Sequence, residues 1–104
     1  MTPAAPIPLA SAIQYQEGSV VSKELLRKTA GTVTLFAFDA GQGLSEHIAP
    51  FDALAQIIDG SAEIRVGDET VTVRAGELLR LPAGIPHTLD AREHFMLLLT
   101  MVRA

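Results

Sequence analysis

The chain has 104 residues, enough for one domain around a single hydrophobic core. Apolar residues make up 48%, aromatic residues only 5% with no Trp, and 8 Lys and Arg stand against 12 Asp and Glu for a net charge of -4. A two-domain enzyme is excluded by length, stacking platforms are scarce, and the negative charge opposes a phosphate backbone, so nucleic acid is excluded as a partner. Cysteine is absent, which excludes disulfides, thiolate catalysis and Cys-ligated metals. Any metal must sit on His, carboxylate or amide groups, and His47, His87 and His94 are the only imidazoles.

Residues 1–12 carry Pro3, Pro6 and Pro8 and no Lys or Arg. Proline removes backbone donors and opposes a helix, so an extended arm is expected here, ahead of one barrel domain over 13–104. The arm lacks the basic start of a signal peptide. Residues 22–28 suit a helix or a strand. From there strand-like runs recur every eight to twelve residues between Gly, Pro and Asp, the spacing of an all-β sandwich or barrel. Residues 33–38 form the first run, closed by Gly41-Gln42-Gly43; residues 53–58 form the next, ended by Asp59-Gly60. Residues 62–66 alternate apolar and polar, turn at Gly67-Asp68 and alternate again over 70–73, which predicts a hairpin with one wet face. Short strands follow over 78–81 and 85–89.

Residues 95–102 are apolar on both faces, and a strand of that kind needs cover on each side. Either this is a fully buried central strand or a second subunit covers it; the apolar surplus favours the subunit, which makes a homodimer the expected assembly. No apolar run is long enough to cross a membrane, and a cytoplasmic protein without membrane partners is expected. Arg27-Lys28 and Arg103 read as isolated charges.

Two segments carry the chemistry. The second runs Gly76, five residues, Pro82, one, Gly84, two, His87. Glycine serves the tight turn and a positive φ, proline ends a ladder where no donor is needed, and the histidine opens the returning strand. The first segment has Gly41 six positions before His47 and Gly60 thirteen after it. Together they resemble the two boxes of the cupin superfamily, and the resemblance covers most of the chain. It implies a double-stranded β-helix, a jelly-roll barrel, with His47 and His87 facing each other across the mouth.

The resemblance also implies where a metal site is incomplete. Metal-binding cupins hold a second His two residues after the first and a Glu seven before the closing glycine; those places are Ala49 and Ala53 here. Two imidazoles remain, with Gln56 and His94 as candidate substitutes for a third ligand. Glu46 faces opposite to His47 along a strand, and Asp52 lies in the following turn.

Two functions stay open. In one, a small molecule occupies a pocket lined by His47, His87, Ala49, Ala53, Ile57 and Leu89. In the other, His47 and His87 hold one divalent ion of iron, nickel, manganese or zinc for dioxygenase or isomerase chemistry. The cofactor expectation is accordingly none or one such ion, and catalytic residues are not assignable.

Overall fold

The computed structural model describes residues 4–103. After a single turn of helix, α1 (Leu9–Ala12), eight strands follow: β1 (Val20–Lys28), β2 (Gly31–Phe38), β3 (Gly43–His47), β4 (Asp52–Val66), β5 (Glu69–Arg74), β6 (Leu78–Leu81), β7 (His87–Asp90) and β8 (Phe95–Val102). The expected extended arm therefore fails over residues 9–12. Pro8 sits at the cap position with φ -74°, a value compatible with a helix start, and the prolines do not enter the turn itself. Residues 1–3 of that arm lie outside the described residues. Residues 22–28 resolve to the strand alternative, within β1.

The strands curl into two facing layers. One layer runs β1-β2-β8-β4-β6 and the other β3-β7-β4-β5, every pair antiparallel. β4 belongs to both. Its first half, from Asp52, pairs with β8 and β6, and its second half, to Val66, pairs with β5 and β7. The sequence reading split this strand at Gly60, whereas it continues through a bend there. Gly60 has φ +75°, and a Cβ at that position would fall on the His94 carbonyl oxygen, so only glycine permits both the left-handed backbone and the close approach. The bend makes the barrel: both ends of β4 come to the open mouth, while Gly60 and Phe95 mark the closed end.

Between the layers lies the main core, with Phe38, Ala55, Ile57, Ile64, Phe95 and Leu97 fully buried or nearly so. Phe38 and Phe95 stack with ring centroids 4.6 Å apart. A second apolar cluster covers the outer face of the first layer: Leu35, Ala37 and Met96 are packed under Ile13, with Leu9, Ala12 and Tyr15 against them. Part of the outer cover anticipated from a second subunit is thus provided by the chain's own residues 9–15.

Candidate functional site

His47 ends β3 and His87 begins β7, and the two residues pair directly across the strands. Their rings meet edge to face, centroids 4.1 Å apart. Each ring is oriented by its own backbone two residues earlier: His47 Nδ1 lies 3.0 Å from the Ser45 carbonyl oxygen and His87 Nδ1 3.4 Å from that of Ile85. With Nδ1–H donating to a carbonyl, the lone pair remains on Nε2, the nitrogen free to meet a ligand. His87 is buried at 6% exposure, whereas His47 is exposed at the rim. Burial, with the His47 ring as a second cause, lowers the His87 pKa below its ordinary value, against a smaller opposing effect of the Ile85 carbonyl.

Loop chemistry holds this pair in place. Gly84, with φ +77°, adopts the left-handed conformation that the turn into β7 requires, and its N–H donates to the Ala49 carbonyl at 2.9 Å. The Asp52 carboxylate accepts the Ala83 N–H at 2.8 Å. The segment that follows His47 and the loop that precedes His87 are therefore tied to each other. Gly41 and Gly76 also have positive φ, and the Gly76 N–H bonds the Ile57 carbonyl where β5 turns into β6; Pro82 follows β6 and ends its pairing.

Behind the histidines is a chamber of about 140 Å³. Strands β2 and β8 contribute Phe36, Leu97, Leu99 and Met101; β3 and β7 add Leu44 and Leu89; Ala53 and Leu81 come from β4 and β6. Ala49 and Phe51, between β3 and β4, complete it, so His47 and His87 are the polar members of an otherwise apolar lining.

Of the residues expected to line the pocket, His47, His87, Ala49, Ala53 and Leu89 do so. Ile57 does not. It shares the inward face of Ala53 but lies four residues further along β4, roughly 13 Å at strand rise, and is fully buried in the core toward the closed end. Neither substitute ligand reaches the chamber. Gln56 is exposed because its parity is opposite to Ala53 and Ala55. His94 is exposed just before β8, beside the Gly60 bend, where its ring stacks on Tyr15 at 4.0 Å. Glu46 faces outward and pairs with Arg65 at 3.1 Å. Phe36, Leu97, Leu99 and Met101 escaped the sequence reading, although they share inward parity with Phe38 and Phe95 along β2 and β8.

The donor set decides the metal question in chemical terms. A mononuclear divalent site normally takes three or four protein ligands. Among the described residues no group of three His, Cys, Asp or Glu side chains is placed to hold an ion, and the chamber offers no carboxylate. The residues present do not fit the metal site of the fold family.

A family model for the cupin domain matches residues 34–102. Among curated proteins, an uncharacterized protein of Streptomyces coelicolor is 36% identical over 64 residues, a stretch covering 62% of this chain and 61% of that protein. Among solved structures, a conserved Streptococcus pyogenes protein of unknown function superposes with a TM-score of 0.94 at 34% identity, covering all of this chain and 91% of the other. A cupin 2 conserved barrel domain protein from Leptotrichia buccalis gives 0.89 at 39% identity over 93% of this chain, which spans 47% of the longer protein. The curled two-layer barrel and a family match over more than half its length establish that this chain belongs to the cupin superfamily.

Proposed function

We propose that the protein is a small-molecule binding module whose ligand places an apolar group in the chamber behind His47 and His87. The observation that carries this reading is the chamber itself: about 140 Å³, apolar apart from two imidazoles whose Nδ1 atoms are engaged by backbone. An apolar cavity near 150 Å³ accepts a molecule of benzene size, so the inserted group is a single ring or a short branched chain. The Nε2 atoms supply the polar handles that orient it. Alanine at positions 49 and 53 widens the chamber where bulkier side chains would close it.

The test uses 3-phenylpropanamide, a neutral probe with one ring. Titration should move the imidazole resonances of His47 and His87, and Ala53→Leu, which fills the chamber, should weaken binding at least about tenfold. Unchanged affinity in Ala53→Leu, or no binding at millimolar concentration, would overturn the reading. So would stoichiometric metal in protein purified without an affinity tag, if His47→Ala and His87→Ala both abolished it.

A second copy of the chain is the partner we assign to the outer face of the first layer, where Leu54, Leu78 and Val102 stay 38%, 56% and 54% exposed.

A further inference from the structure

A second cavity, about 620 Å³, adjoins the chamber and is lined by Arg27, Lys28, Thr32, Thr34, Met101 and Arg103, with Glu24 at its side. Met101 belongs to both linings. The Arg103 guanidinium lies 5.6 Å from the ring centroid of Phe51, itself a chamber residue. The two spaces are consecutive stretches of one surface. Along the inward face of β2 the residues run Phe38, Phe36, Thr34, Thr32; on β8, in register beside them, they run Phe95, Leu97, Leu99, Met101, and Arg103 follows the strand. Moving outward two residues at a time, the wall changes from core to chamber to polar, cationic rim.

Charge at this rim runs opposite to that of the whole chain. The protein carries -4 overall, yet three of its eight Lys and Arg gather here against Glu24 alone, which is paired to Arg27 at 3.0 Å. Of these three, Lys28 and Arg103 make no ion pair among the described residues. Thr32, a wall residue of this cavity, carries a buried hydroxyl with no hydrogen-bond partner among the described residues. The inner chamber holds only a ring-sized group, and the wall at Met101 gives whatever extends from that group a route into the cationic space.

Resting on the binding reading above, we infer that the ligand class is an amphipathic monoanion: an apolar group in the chamber, joined by a short linker to a carboxylate held by Lys28 and Arg103. Arg27 reinforces the positive field, with part of its charge offset by Glu24. The sequence reading took these cations as isolated, and 75 residues separate Lys28 from Arg103; the pairing of β1 with β2 and of β2 with β8 brings them to one cavity.

A matched pair of probes, 3-phenylpropanoate and 3-phenylpropanamide, differs only in the charge of the terminal group. At low salt the acid should bind about tenfold more tightly than the amide, as charge-assisted hydrogen bonds predict. At 0.5 M NaCl, where the Debye length is only a few ångströms, the two affinities should converge. Lys28→Gln and Arg103→Gln should each remove about threefold from the acid alone, and the double variant should bind both probes alike. Thermal midpoints equal to the parent's show that these surface variants are folded. Equal affinity for acid and amide, or a preference that survives in the double variant, overturns the inference and leaves the chamber reading standing. Failure of both probes to bind overturns both.

Discussion

Burial and the nearby His47 ring favour the neutral form of His87, so its folded-state pKa lies below the ordinary 6.5 of an exposed imidazole. The sign of the linkage follows directly. The unfolded chain takes up this proton more readily than the folded one, so the contribution is intact above pH 6.5 and is lost as pH falls through the lowered folded value. The thermal midpoint should drop between pH 7 and pH 5, and His87→Gln should show a shallower drop over the same interval. An equal slope in parent and variant, measured by scanning calorimetry, would remove His87 as the source. The same proton bears on binding, because a charged His87 beside His47 opposes an apolar ligand in the chamber. It was legible in sequence that these two histidines face each other, through the Gly76, Pro82, Gly84 and His87 spacing; the effect of the His47 ring on the protonation of His87 required the 4.1 Å ring separation.

At the scale of elements, a side-chain hydrogen bond at Tyr15 fastens residues 9–15 to the barrel. Tyr15 donates its hydroxyl to the Asp59 carboxylate at 2.6 Å, and its ring stacks on His94 at 4.0 Å. Burial, reinforced by the Asp59 carboxylate, raises the Tyr15 pKa well above the ordinary 10, so the hydroxyl stays protonated and the contact persists up to at least that pH. Ile13, Leu9 and Ala12 then lie over Leu35, Ala37 and Met96. Tyr15→Phe keeps the ring and removes the donor. The expected loss is about 1 kcal/mol, or roughly 4–8 °C in thermal midpoint for a domain of this size, with cleavage of residues 9–15 by a nonspecific protease becoming faster. Unchanged stability and unchanged cleavage would show that the apolar contacts alone fasten the segment. None of this cluster was legible in sequence, because Tyr15 and Asp59 are 44 residues apart and His94 is brought in by a third element. Local signals failed similarly at Gly60. The same glycine that ends a strand in most contexts here bends β4 and lets it continue, and only the approach of the His94 carbonyl tells the two cases apart. The strands over 33–38 and 95–102, by contrast, follow from their apolar runs and punctuation.

For the whole molecule, the apolar surplus in the composition divides into three parts. The first fills the barrel between the layers, and the second packs residues 9–15 onto the outer face near Met96. The third remains in contact with solvent on that same outer face. β4 and β6 present Leu54 and Leu78, and β8 presents Val102, with Leu98 partly buried among them. Arg80 pairs across the ladder with Leu54, while Asp52 lies opposite Val102, so opposite charges flank the apolar centre. An isologous contact repeats each residue across a twofold axis, and this arrangement lets Arg80 of one copy meet Asp52 of the other while the leucines pack between them. Sedimentation equilibrium at tens of micromolar should therefore give twice the 11.1 kDa chain mass. Leu54→Arg places a cation in the centre of the contact and should return the mass to that of one chain, because an unpaired charge is expensive to bury there. The chamber opens at the mouth of each barrel rather than on this face, so the same variant should bind 3-phenylpropanamide with unchanged affinity. A parent mass of one chain at that concentration would refute the dimer, and the residual apolar face would then be free surface of a monomer.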